Sequence, residues 1–267
     1  MFRVIETLHG ANFVVEIVAE AILRCSLNYG DPYIGSVLLL AHFDGTDGST
    51  TFLDASPYHN TLTGVGNAEI TTGDFKFGGG SLLLENHAIN GDNVGLSNVN
   101  FGQLSPTNTS PYTIELWALF NSTGILQYLI TQTAGLGSRH FAMYQDGDDE
   151  ITWHTSSNLS AWTHEFKTSG ANIVTGQFYS IILDKDSTGT VRIYVDGVMY
   201  AKQTPANSAI NTTNGTQLVI IGSHGVLNAD SFDGCIDEVR VTAGISRYGD
   251  LNGDTSFTPP SSSFPET

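Results

Sequence analysis

The chain has 267 residues, 27 acidic against 10 basic, for a formal net charge of −17 at pH 7. A hydrophobic share of 40% beside only 14% charged residues excludes a disordered or fibrous chain, and the length supports a sizeable core in one or two domains. Phosphate contacts need Lys and Arg, so neither nucleic acid nor an anionic membrane is an expected partner.

Residues 1–36 differ in character from the rest. Asn12 to Cys25 reads as a short helix capped by Asn12, with Glu16, Glu20 and Arg24 on one face and Val14, Ile17, Val18, Ala21 and Ile22 on the other. A pair of strands is the competing reading, because Phe13-Val14-Val15 and Ile17-Val18 are β-formers. Either form has an apolar side that needs covering. Arg3 is followed by Glu6, Glu16 and Glu20, which is not the basic start and unbroken apolar stretch of a secretory signal. No run approaches the roughly 18 apolar residues that cross a bilayer, so no membrane insertion is expected. Gly30-Asp31-Pro32 then interrupts the chain. Cys25 and Cys235 match no metal spacing and are expected as two free thiols.

Short strands separated by turns follow. Val37 to Phe43, Thr113 to Phe120, Phe178 to Leu183, Val191 to Val195, Val198 to Tyr200, Leu218 to Ile221 and Ile236 to Val241 are the apolar, β-rich runs. Asp196-Gly197 is a two-residue hairpin signal between two of them. No helical period of useful length occurs after residue 36. The pattern predicts an all-β, antiparallel sandwich.

Several segments carry a resemblance. His42-Phe43-Asp44-Gly45, Gly48-Ser49-Thr50-Thr51-Phe52, Lys76-Phe77-Gly78-Gly79, Thr113 to Trp117, Tyr194-Val195-Asp196-Gly197, Phe232 to Val241 and Phe257-Thr258-Pro259-Pro260 occur in this order. Together they resemble the laminin-G-like, concanavalin A-like lectin/glucanase superfamily, in a version similar to that of bacteriophage virion proteins. The resemblance implies a jelly-roll sandwich over residues 37–267, with 1–36 as a separate N-terminal docking segment.

The superfamily includes glycosidases, which need two carboxylates about 5–5.5 Å apart when retaining. In that branch one strand carries Glu-x-Asp-x-x-Glu. Here Glu115-Leu116-Trp117-Ala118-Leu119 has no second or third acid, so no catalytic residue is expected. Metal binding is better motivated. Strand alternation places Asp237 with Val239 and Val241 at the start of an apolar face, where a lone carboxylate is costly. Asp44 ends the first strand, which the resemblance places near the closing one. The pair suits a structural calcium ion, which takes 6–8 oxygens; backbone N–H groups or an arginine are the alternative partners of Asp237. Sugar binding needs aromatic platforms beside polar groups. Tyr144, Trp153, His154 and Trp162 form such a set, with Trp153 and Trp162 alternatively in the core.

The expected function is a non-catalytic virion component, a tail appendage or capsid decoration, made in the host cytoplasm. Residues 1–36 would dock it to other virion proteins, in a homo-oligomer, and the sandwich would face outward to host surface glycans. A free carbohydrate-binding protein is the second reading and a glycoside hydrolase the third.

Overall fold

A computed structural model describes residues 30–85, 91–97, 101, 104–133, 139–210, 218–224, 230–249 and 256–267. The segment expected as helix or strands at 12–25, Cys25 among it, lies outside them. Fifteen strands occur among the described residues. In chain order they are β1 (Val37–Ala41), β2 (Thr61–Val65), β3 (Glu69–Thr71), β4 (Ser81–Leu84), β5 (Asn93–Ser97), β6 (Tyr112–Phe120), β7 (Gln127–Thr133) and β8 (Arg139–Gln145). There follow β9 (Ile151–Thr155), β10 (His164–Lys167), β11 (Phe178–Lys185), β12 (Val191–Val195), β13 (Val198–Gln203), β14 (Val219–Ile221) and β15 (Gly234–Ala243). A 3-10 turn lies at Ile34–Ser36.

The strands form two antiparallel sheets. One has eight strands, in the order β13-β12-β11-β6-β15-β4-β3 with β1 also on β15; the other has seven, in the order β10-β9-β8-β7-β14-β5-β2. Between them lies one continuous core. Ile114, Leu116 and Ala118 of β6 and Ile236, Val239 and Val241 of β15 face Leu129, Phe141, Met143, Ile151, Trp153 and Val219 of the other sheet. Each fully buried large apolar side chain contributes roughly 1.5–3 kcal/mol. The sandwich and its jelly-roll character agree with the reading of the sequence.

The hairpin at Asp196-Gly197 joins β12 to β13 as its residues demand. Both have positive φ, 49° and 76°, the conformation of a type I′ turn. Asp196 Oδ1 also accepts the Ser180 N–H at 2.9 Å, which ties the turn to β11.

One alternation argument fails. The register of β15 on β6 shifts between Asp237 and Arg240, and Glu238 sits there with φ 51°. This bulge leaves Ile236 and Val239 on the core side and turns Asp237 to the outer face, opposite Trp117. Asp237 is thus not on the face of Val239 and Val241.

The outer face of the eight-stranded sheet is itself covered, which is why β6 and most of β15 are buried on both sides. Arg240 pairs there with Glu115 at 2.6 Å and Asp31 at 3.1 Å, and Phe264 lies over its guanidinium at 3.9 Å. Arg247 reaches the same Asp31 at 2.6 Å. Asp31 thereby builds the end of the N-terminal segment into the sandwich.

Candidate carbohydrate-binding face

The outer face of the seven-stranded sheet carries a different chemistry. In β8, Phe141 and Met143 point into the core while Ala142 and Tyr144 point out. In β9, Ile151 and Trp153 point in, so Thr152 and His154 share the outer face. Register then assembles a row. Tyr128 of β7 stands opposite Tyr144, Ala142 opposite His154, and Glu165 of β10 also opposite His154. Small Ala142 leaves room for the imidazole to lean against Tyr144.

Ring centroids run 4.9 Å from His224 to Tyr128, 5.0 Å from Tyr128 to Tyr144, 5.1 Å from Tyr144 to His154 and 5.1 Å from His154 to Trp162. Trp162 comes from the loop after β9. That loop is held by Asn158 Oδ1, which accepts the N–H groups of Ser160 and Ala161, and by Arg139 N–H donating to Leu159 O at 3.0 Å. The Arg139 guanidinium lies 5.6 Å from the Trp162 ring centre. Trp162 remains half-buried.

Polar groups line the row. His154 Nε2 lies 2.9 Å from Glu165 Oε2 and 3.1 Å from Tyr144 Oη. Burial holds the His154 pKa below its ordinary value, with Arg139 adding to this and Glu165 opposing it. Burial thus disfavours the imidazolium, and since a carboxylate only accepts, the proton shared with Glu165 sits on Nε2. Burial likewise lowers His224, and it pushes Tyr128 up to about 12, with Asp230 assisting. Tyr128, Tyr144 and His154 are themselves buried in this row, so it meets solvent through half-buried Trp162 and His224 and the Glu165 carboxylate at its rim.

Three of the four residues expected to bind sugar meet here: Tyr144, His154 and Trp162. Trp153 does not. It is fully buried, stacked on Phe141 at 5.4 Å and 6.2 Å from Tyr112, so its expected place in a binding site is corrected to the core. Its inward direction follows from the alternation that turns His154 outward. Tyr128, Arg139, Glu165 and His224 escaped the sequence reading because strand register and loop return bring them in.

Asp44 and Asp237 also meet, over one loop. Asp44 Oδ1 accepts the N–H groups of Gly79 and Gly80 at 2.6 and 3.2 Å, and Asp237 Oδ2 accepts those of Lys76 and Phe77 at 2.7 and 3.1 Å. Gly78 between them has φ 63°, and a Cβ there would lie 2.2 Å from Asp44 Oδ1, so only glycine lets the loop close. Oδ1 of Asp237 is buried without a partner, and burial raises its pKa to about 7. Two carboxylates fall short of the 6–8 oxygens calcium takes, and no group of three or more His, Cys, Asp or Glu suited to a metal occurs among the described residues. Glu115, the acid of the family-like strand, is occupied by Arg240, its cross-strand neighbour in the eight-stranded sheet.

The fold is shared with toxin binding domains. The binding domain of Paraclostridial Mosquitocidal Protein 1 superposes with a TM-score of 0.60 at 12% identity, over 83% of this chain and 52% of that one. A structure of botulinum neurotoxin type C, whose cell entry depends on interaction with two ganglioside molecules, gives 0.60 at 12% identity over 83% and 50%. The botulinum neurotoxin DC binding domain in complex with SialylT gives 0.58 at 12% identity over 83% and 51%. The chain thus spans about half the length of each. No curated protein sequence matches it. The profile described as Laminin_G_3, concanavalin A-like lectin/glucanases superfamily, matches residues 90–244, more than half of the chain. The sandwich, its two-sheet order and this match together make the chain a member of the concanavalin A-like lectin/glucanases superfamily.

Proposed function

We propose that the protein is a non-catalytic, glycan-binding adhesion domain that takes its ligand across the outer face of the seven-stranded sheet. The observation that carries this reading is the aromatic row ending on half-buried Trp162, with Glu165 and Arg139 at its rim. A sugar ring offers an apolar C–H face and a set of hydroxyls, and half-buried Trp162, braced from behind by the buried rings, supplies a stacking surface beside hydrogen-bonding groups. The ganglioside and SialylT named for two structures of the same fold support the reading. A glycan array with the full chain tests it. Binding that Trp162→Ala abolishes, with an unchanged circular dichroism spectrum, is the expected result; a silent array, or undiminished binding by the variant, overturns it.

The finer part of the proposal is display on a bacteriophage virion, in a homo-oligomer, with the N-terminal segment docked to other virion proteins. The motif resemblance supports it, and so does the position of Asp31 and Phe264 on the outer face of the eight-stranded sheet, away from the aromatic row. A segment docking from that side would leave the row facing outward. Deleting residues 1–29, which spares Asp31, should abolish incorporation into particles while the sandwich folds; a truncated protein that still assembles refutes docking.

A structural calcium ion at Asp44 and Asp237 belongs to the same proposal on the condition that backbone carbonyls supply the oxygens the two carboxylates lack, and the unpartnered Oδ1 of Asp237 supports it. Calorimetric titration after chelator treatment tests it, and absence of both heat and a melting shift overturns it.

A further inference from the structure

The charges around the aromatic row are unequal. Glu165 stands at its rim with 63% of its side chain exposed, one oxygen on His154. Asp146 and Asp148 stand at the turn joining β8 to β9, close enough to Tyr144 for the Asp146 charge to act on its hydroxyl. Asp230 flanks the other end, its carbonyl accepting the Tyr128 N–H at 3.0 Å and its charge acting on Tyr128 and His224.

Against these four carboxylates stand two cations, both engaged. Lys167 Nζ is bound by Asp146 at 2.8 Å and by Asp148 at 3.0 Å. Arg139 lies over Trp162, with Nη1 donating to Ser160 O at 3.1 Å. Burial disfavours positive charge on His154 and His224. The chain as a whole carries −17. Among the described residues, a ligand carboxylate or sulfate laid along the row therefore meets net negative charge, with Lys167 held by two carboxylates and Arg139 held by a backbone carbonyl and the Trp162 ring. Ring hydroxyls, in contrast, find an exposed carboxylate that accepts their hydrogens.

We propose that this face, unlike the toxin domains of the same fold whose named ligands are sialylated, selects neutral glycans over sialylated, uronic or sulfated ones, an inference that rests on the glycan-binding reading above. Its source of selectivity is repulsion, since like charges set together discriminate against a ligand that otherwise fits. Glu165 is the residue placed to enforce it.

The test uses the full chain on an array of matched pairs, each a neutral oligosaccharide and the same core capped with sialic acid or sulfate. The neutral member of each bound pair should exceed its capped partner by about tenfold or more, and the gap should shrink as salt rises. Glu165→Gln should narrow the gap, and Trp162→Ala should remove binding to both members. Capped members that bind as well as or better than neutral ones overturn the selectivity and leave glycan binding intact. Silence across both series overturns both readings.

Discussion

Asp31 and Arg240 lie 3.1 Å apart on the outer face of the eight-stranded sheet, sealed beneath Phe264. Burial opposes the Asp31 charge, but hydrogen bonds from Arg247 and the Tyr33 N–H, with both guanidinium charges, hold its pKa below the ordinary carboxylate value. The unfolded chain then takes up a proton at Asp31 before the folded chain does. Stability from this group is full above the unfolded pKa and is lost as pH falls through the folded one. Asp31→Asn should cost about 3–5 kcal/mol near neutral pH, since it leaves Arg240 and Arg247 short of a buried partner. It should also remove part of the acid-induced loss. Urea denaturation as a function of pH measures both; an unchanged neutral midpoint contradicts the assignment.

Lys185 gives a slope of the same sign at the alkaline end. It is fully buried at the end of β11, with Nζ donating to Ser105 Oγ at 2.9 Å, Thr107 O at 3.1 Å and Ser208 O at 3.3 Å. Burial lowers its pKa to about 8, with Asp186 opposing. Above that pH the folded lysine is neutral while the unfolded one keeps its proton up to about 10.5, so stability should rise with pH across this window. Lys185→Met should flatten the rise. Melting temperatures across the window decide it, and equal slopes in both proteins would refute the buried ammonium.

Much of this architecture was legible in the sequence because β6, β11, β12 and β15 sit mid-sheet and read as dense apolar runs. Other strands were not legible, among them β7 and β8, which lie inside the seven-stranded sheet and run seven residues each but interleave Gln, Thr, Arg and His with their apolar residues. β2 has an exposed, threonine-rich face and β5 carries Gly95 and Asn93, so neither shows an apolar pattern. Alternation located His154 but could not say which of Trp153 and its neighbour faced the core; register with Met143 and Ala142 decides that. The same rule failed at Asp237, because a one-residue bulge reverses parity and Glu238 gives no sign of a positive φ. The aromatic row was half legible. Its Tyr144, His154 and Trp162 fall close in sequence, whereas Tyr128 and His224 arrive through pairing of β7 with β8 and β14.

Asp237 supports a crossing prediction. In chelator-treated protein its buried carboxyl stays protonated in the fold after the unfolded chain has released the proton, so stability falls as pH climbs towards about 7. Asp237→Asn keeps an oxygen for the Lys76 and Phe77 N–H groups without the charge. The variant should melt above the wild type at mildly alkaline pH, and their difference should shrink in mild acid. Adding calcium should reverse the order by stabilising the wild type alone. A variant that melts lower throughout the chelated series removes the buried-charge argument.

Trp153 and Trp162 separate folding from binding. The two rings lie on opposite faces of one sheet, the first stacked on Phe141 in the core and the second against His154 outside. Trp153→Ala empties a fully buried site and should cost about 3–5 kcal/mol. Trp162→Ala removes a half-buried ring whose loop is held by Asn158 and Arg139 rather than by the indole. It should cost under about 1.5 kcal/mol, because the site opens to water and leaves no closed cavity. Fluorescence-monitored urea unfolding gives both values, with intrinsic tryptophan emission still available from Trp117 and the remaining ring. A Trp162 variant as unstable as the Trp153 variant would make the outer row a second core, and its loss of glycan binding would then report unfolding rather than a missing platform.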